Sequence, residues 1–343
     1  MMNLNKKIII FKNDAVGDLV QSLPAINNII NHNIQNEILI YLSERSKNFD
    51  FLFNFKNVKV KIVKYNLTIK EKIKIFYDLL FNSIYSIYIL TPKNFYFYLP
   101  FFFRKIRFYA ICLNSVNNYK RPNIFLRKYL YKYSINDRGT HYKRKSTMEL
   151  QNDLTKDLNF KSDYMLPNLP SYNNSLNLKN YIYFHLKLEN FKKLGWGYDE
   201  LKKLLNEFLN YSDNVVFTKD IENDENLDSY KKDFNFIDFS NGEKKINNSK
   251  IYLYNNISGS DLLNVINDSY LVVAFHGMMT NLASINYNRV LDLFLCEINS
   301  KKDYMRYKNA FYEFKPNYKK YDFIVPSKNF DKTLRKMRYS LKK

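Results

Sequence analysis

Residues 8–30 read IIIFKNDAVGDLVQSLPAINNII, and this stretch decides the fold. The β-branched run Ile8 to Ile10 predicts a buried strand. A short polar loop follows and closes on Gly17-Asp18. Leu19, Leu23, Ile26 and Ile30 then recur at helical spacing. The unit is strand, loop, helix, with the helix expected over about 18–30. It opens an α/β domain and sets a small residue and a carboxylate at a helix N-terminus above a sheet edge, where α/β proteins place their ligands.

Outward from this unit the alternation continues. Strands are expected at Lys7–Phe11, Glu37–Leu42, Val58–Val63, Ser86–Leu90 and Ile106–Cys112. Helices are expected at about Asp18–Ile30, Ile69–Phe81, Asn94–Phe103, Pro122–Tyr133 and Thr147–Leu158, over a mostly parallel sheet. Residues 166–178 carry two prolines, several Asn and Ser and no periodicity, and read as a linker. The alternation then restarts with a strand at Tyr181–Leu186, a loop at Lys187–Gly197 and a helix over about Tyr198–Leu209. Val215–Phe217 and Lys250–Tyr254 are further strands. A helix capped near Ser258, a strand at Tyr270–Phe275, a turn at His276-Gly277, a helix at Met278–Asn286 and a strand at Arg289–Phe294 complete this half. A last helix from about Ser327 presents Phe330, Leu334, Met337 and Leu341. The expected fold class is α/β, two Rossmann-like domains whose parallel sheets face across a cleft. The domains are 1–165 and 179–326, and residues 327–343 pack back on the first.

Composition bounds the function. Lys and Arg number 54 against 33 Asp and Glu, a formal net charge of +21 that favours anionic partners: nucleic acid, anionic lipid or a phosphorylated sugar. The densest basic runs are Lys120–Lys145 and Lys328–Lys343. Without an RNP-type aromatic motif, zinc-finger spacing or helix-turn-helix signature, charge is the only argument for nucleic acid. Cys112 and Cys296 are far apart and outside any CxxC, which fits a reducing cytoplasm and argues against a disulfide framework or a structural zinc site. The N-terminal apolar run is too short for a signal peptide. The aromatic segment Ile84–Leu113 is interrupted by Pro92, Lys93, Asn94 and Pro100, so no apolar span reaches the roughly 18–20 residues that cross a bilayer. It reads as buried strand, helix and strand, or as an interfacial segment with cations beside its aromatics.

Residues 7–30 resemble the N-terminal signature of the heptosyltransferase-like glycosyltransferases, family 9, a GT-B family. The matching residues are Gly17, Asp18, Leu23, Pro24 and Ala25. The resemblance implies an inverting, metal-independent transfer from a nucleotide-activated sugar, ADP-heptose-like, to a lipopolysaccharide or other cell-surface glycan at the inner face of the inner membrane. The first domain would hold the acceptor and the second the donor, with no cofactor. Peripheral contact with an anionic membrane would fit, with the protein otherwise cytoplasmic.

Asp18 is the candidate base, because the matching Asp is the family's proposed general base and a helix N-terminus favours an ionised carboxylate. An N-cap alone also accounts for an Asp here, and Asp14 is a nearby competitor. Asp14, Gly17 and Lys93 are assigned to the acceptor. The loop from His185 to Gly197 resembles the family's donor loop, in which a cation shortly before a Trp contacts the donor phosphate. Lys193 lies three residues before Trp196 where the usual spacing is two, and Lys192 is the alternative. Trp196 itself reads as an anchor on the core.

The segment Val272–Ser284 runs from a buried strand into His276-Gly277 and then a helix, whose first N–H groups suit a diphosphate. It is similar to the family's Asp-Thr/Ser-Gly-x-x-His pattern at Gly277, but Phe275, His276 and Thr280 stand at the Asp, Thr/Ser and His positions. It also resembles the His-Gly-Ala-x-x-Thr-Asn motif of family 61 at His276, Gly277, Thr280 and Asn281. His276, Gly277, Met278, Thr280 and Asn281 are therefore assigned to the donor. Asp261 is a cap that could face the nucleoside, and Arg306 and Lys308 could border the cleft. No DxD metal motif stands at a strand end. Two other readings remain: a transferase of this architecture with a different donor, and a non-catalytic protein that binds sugar nucleotides or polyanions.

Overall fold

The computed structural model describes residues 6–114, 125–137, 145–158, 178–220, 224–285, 288–295 and 320–342. These described residues form two compact units, one within residues 6–158 and the other within 178–295 and 320–342. The linker expected at 166–178 lies outside the described residues except for Leu178. Cys296, Arg306 and Lys308 lie outside them as well.

The first unit holds six strands: β1 (Lys7–Lys12), β2 (Glu37–Ser43), β3 (Val58–Val63), β4 (Ile84–Ile89), β5 (Arg107–Asn114) and β6 (Lys132–Asp137). All pair in parallel in the order β3-β2-β1-β4-β5-β6. Strand order reverses between β1 and β4, so the crevice beyond their carboxyl ends is the switch point where doubly wound sheets bind ligands. Ile8 to Phe11 are fully buried, as a central parallel strand requires. Reciprocal capping explains two helix starts: Thr68 with Glu71 opens Ile69–Phe81, and Ser146 with Glu149 opens Thr147–Thr155.

The helix after β1 runs Val16–His32, two residues earlier than the sequence implies, with Ala15 at the cap. Gly17 and Asp18 are thus inside its first turn, and Asp18 is not an N-cap. The chain folds this way because Leu19 and Val20 are already buried, and the Leu19 amide bonds the Ala15 carbonyl. Pro24 sits inside this helix and removes one amide donor. Asn28 Nδ2 ties the helix to the Thr155 carbonyl at 3.0 Å.

The helix expected over Pro122–Tyr133 is not what residues 126–133 form, although Phe125 is helical. A single 3-10 turn, Arg127–Tyr129, leads into β6. The alternation of exposed Tyr131 and Tyr133 with buried Ser134 is the period of an edge strand.

The second unit holds β7 (Tyr181–Leu186), β8 (Val215–Lys219), β9 (Asn235–Asp238), β10 (Lys244–Lys245), β11 (Ile251–Asn255), β12 (Ser269–Phe275), β13 (Arg289–Leu293) and β14 (Tyr321–Ile324). Their order is β10-β9-β11-β8-β7-β12-β13-β14, all parallel except β10. Here the order reverses at β7 and β12. The expected loop 187–197 contains a helix, Leu188–Leu194, closed by Gly195 at φ 71°. Leu188, Phe191 and Leu194 face inward, and the Trp196 amide reaches back to the Phe191 carbonyl in a Schellman-type cap.

The closing helix, Phe330–Leu341, packs on the second unit. Met337 and Leu341 enter the second core, Phe330 meets Trp196 edge-on at 5.2 Å, and Arg338 forks onto the buried Glu207 carboxylate at 2.8 and 2.9 Å. A stripe at 330, 334, 337 and 341 is satisfied by any apolar groove, so sequence alone could not choose between the two units.

Candidate functional site

At the first switch point, Asn13 and Asp14 leave β1 and Thr91 leaves β4. Lys12 is fully buried, and its Nζ donates to Asp14 Oδ2 at 2.8 Å. The Thr91 hydroxyl donates to the same oxygen at 2.9 Å, and the Ser46 hydroxyl bonds the Asp14 carbonyl. Asp14 Oδ1 is buried without a hydrogen-bond partner. The carboxylate is therefore anchored in place with one acceptor atom left over, which is costly unless a ligand fills it. Asp18 is half-buried on the third helical residue, and the Ser22 hydroxyl bonds its carbonyl.

Lys93 straps the loops together. Its Nζ donates to the carbonyls of Asn13, at 2.8 Å, and Tyr65, and lies 4.1 Å over the Tyr65 ring. Burial pushes its pKa down to about 8; Asp14 opposes the shift and Arg45 adds to it. An ammonium committed to two carbonyls holds the loop, so its expected acceptor contact has no support in this geometry. Tyr96 completes the loop by donating to Asn13 Oδ1 at 2.7 Å.

At the second switch point, the strand order places His185 and Asp292 on either side of Ala274 in register. His276 follows β12. Its Nδ1 lies 2.5 Å from Oδ2 of Asp292, which is fully buried and also accepts from the Tyr321 hydroxyl. A carboxylate partner assigns the proton to Nδ1 and leaves Nε2 for another group. The imidazole is about one-fifth exposed and packs on the Phe294 ring at 4.6 Å. Gly277 has φ 154°, a backbone region that favours glycine. The Thr280 hydroxyl accepts from the Gly277 amide and donates to the Gly277 carbonyl, so it fixes the turn at the start of the helix Met278–Ile285. Met278 is half-buried at that start, and Asn281 is buried, its amide on the Gly277 carbonyl.

The two lysines of the loop after β7, both expected to meet the donor, separate. Lys193 pairs with Glu189 one turn away on an exposed surface. Lys192 lines a cavity of about 170 Å³ with Phe191, Trp196, Asp224 and Tyr230. Trp196 is buried, edge-on to Phe191, with its Nε1 on the Lys328 carbonyl, as an anchor should be. Asp261 exchanges bonds with Ser258, whose hydroxyl donates to Oδ2 at 2.6 Å. Capping accounts for it fully.

Sequence reasoning missed Asp292 and the chain beside it. Tyr183 and Thr218 share a bond of 2.5 Å; Thr218 meets His185 Nδ1 at 2.9 Å, and His185 Nε2 lies 3.3 Å from Asp220. Burial raises the Asp220 pKa, but the His185 bond and the nearby Lys187 outweigh it and hold the carboxyl below its ordinary range. The available signal was a lone carboxylate in the apolar strand Arg289–Leu293, since buried charges need partners. Among the described residues no three His, Cys, Asp or Glu side chains converge as a metal site requires.

No protein-family model and no curated protein matches the chain. Solved structures do. A family 9 glycosyl transferase from Veillonella parvula superposes with TM-score 0.63 at 11% identity, over 98% of this chain and 89% of that one. The E. coli ADP-heptose LPS heptosyltransferase II gives 0.61 at 12%, over 98% of both chains. A putative UDP-N-acetylglucosamine 2-epimerase from Listeria monocytogenes gives 0.56 at 11%, over 98% of this chain and 88% of that one. At such identities the likeness establishes a shared fold. The chain has the GT-B fold of these proteins, and the resemblance read from residues 7–30 holds at that level.

Proposed function

We propose that the protein is a glycosyltransferase that moves a sugar from a nucleotide-sugar donor to a saccharide acceptor. The observation that carries this reading is the carboxylate-backed His276 above the Gly277 turn, at the switch point of a sheet in a GT-B fold. The donor diphosphate binds at the first turn of Met278–Ile285, with His276 Nε2 on its oxygens and Thr280 holding the turn. Lys192, in its own cavity with Trp196 and Tyr230, is the cation of the loop after β7 that serves the donor. Lys193 is a weaker candidate because Glu189 already engages it.

In the first unit Asp18 takes the proton from the acceptor hydroxyl. The freed oxygen attacks the anomeric carbon, the bond to the diphosphate breaks, and the configuration inverts. Asp14, fixed by Lys12 and Thr91, offers Oδ1 to an acceptor hydroxyl. Fixed dipoles and cations stabilise the leaving diphosphate, so transfer proceeds without a metal. By resemblance the donor is ADP-heptose-like and the acceptor a lipopolysaccharide or related glycan on the cytoplasmic side. The family-61-like His276, Gly277, Thr280 and Asn281 favour a second reading, a different nucleotide sugar on the same turn.

Asp18→Asn tests the mechanism. Transfer should fall by about 10²–10⁴-fold, the usual contribution of a general base, while donor affinity stays unchanged. A variant with full turnover would remove Asp18 from the chemistry.

A further inference from the structure

The Ile69–Phe81 helix buries Ile75 and Leu79 against the first sheet, yet Ile69, Ile73, Tyr77, Leu80 and Phe81 all stand in solvent. A helix covering a sheet needs one apolar face, and this one has two. Tyr98, Phe101 and Phe102 of the next helix, Asn94–Phe102, are exposed as well. Right-handed crossovers from β3 to β4 and from β4 to β5 put both helices on one face of the sheet. Their rings join: Phe76 contacts Phe102 at 5.8 Å, and Phe101 contacts Phe102 at 5.2 Å and Tyr129 at 5.5 Å.

The charge on this face has one sign. The Arg104 guanidinium lies 5.6 Å over Phe101 and 5.5 Å over Tyr129, and Lys128 lies 5.2 Å over Tyr129. Lys70, Lys74 and Lys105 are exposed nearby in sequence. The two carboxylates of the Ile69–Phe81 helix are engaged elsewhere: Glu71 caps Thr68, and Asp78 is held by Tyr41 and Lys61. Contiguous exposed rings of this kind mark an interaction surface. Tyr, Phe and Leu flanked by Lys and Arg match the composition of elements that lie in a membrane interface.

We propose that this face docks on an anionic lipid bilayer, with Tyr77, Leu80, Phe81, Phe101 and Phe102 entering the interface and the cations meeting the headgroups. Charge complementarity selects this occupant over a protein partner, whose interface core would exclude lysine. No described helix is long and apolar enough to span, so the attachment is peripheral. The inference is independent of the transfer reading.

The test is co-sedimentation of the full chain with phosphatidylcholine vesicles, with and without phosphatidylglycerol. Binding should require phosphatidylglycerol and weaken with salt. Leu80→Ser/Phe81→Ser and Arg104→Glu/Lys105→Glu should each lower the partition by about tenfold or more. Both should melt like the wild type, because the substituted side chains are exposed. Binding to neither vesicle, equal binding to both, or unchanged binding by the variants would overturn the proposal. So would a stable dimer in sedimentation velocity that Leu80→Ser/Phe81→Ser dissociates, since a second copy would then cover the face.

Discussion

Asp292 shows what a single residue does here. Fully buried on β13, it accepts hydrogen bonds from His276 Nδ1 and the Tyr321 hydroxyl, and so fixes the imidazole beside the Gly277 turn. Asp292→Asn keeps the volume and removes the charge. Donor affinity should fall by about tenfold, measured by calorimetric titration, because a charge-assisted bond is replaced by a neutral one. A merely structural role would lower the melting temperature and leave affinity unchanged. Lys93 makes a separate prediction. Its folded pKa of about 8 lies below the ordinary 10.5, so between those values the unfolded chain binds more protons and stability rises with pH. Lys93→Met should remove that component of the slope in denaturant titrations from pH 7.5 to 10, and an unchanged slope would contradict it. At this scale the sequence exposed Asp18, His276 and Trp196 through their neighbours. It hid part of Asp14's anchorage, because Thr91 meets Asp14 only through the pairing of β1 with β4.

At the scale of elements, local signals located most strands because buried parallel strands are continuous apolar runs. Errors arose where a local signal was masked. Lysines at 187, 192 and 193 made the helix Leu188–Leu194 look like a solvated loop, although its apolar positions are regularly spaced and Gly195 closes it. The destination of Phe330–Leu341 was illegible, since an amphipathic stripe does not name its partner. Its attachment to the second unit is testable. Met337 is fully buried in that core, so Met337→Ala should cost about 2–5 kcal/mol, read as a shift in denaturation midpoint. A shift below about 0.5 kcal/mol, the range of surface substitutions, would contradict the packing.

Across the whole molecule, the two sheets share one design. Each is mostly parallel, and each reverses strand order beside its first strand, at β1/β4 and at β7/β12. The residues that the sequence marked for chemistry follow these strands: Asp14 and Asp18 after β1, Lys93 after β4, Lys192 after β7, and His276 and Gly277 after β12. Topology therefore explains why motifs far apart in sequence collect at two crevices. Topology names no ligand; in the proposed function the heptose rests on family resemblance alone.

The most direct test of the central claim is a thermal-shift titration of the wild type and His276→Ala against ADP-, GDP-, UDP- and CMP-sugars and the free nucleotides. A ligand at a hundredfold excess over its dissociation constant adds about 2.7 kcal/mol of stability to the folded state. The account predicts a clear rise in melting temperature with one nucleotide class and a much smaller rise in the variant. A flat response to every nucleotide, or an equal rise in both proteins, would contradict a donor site at this turn.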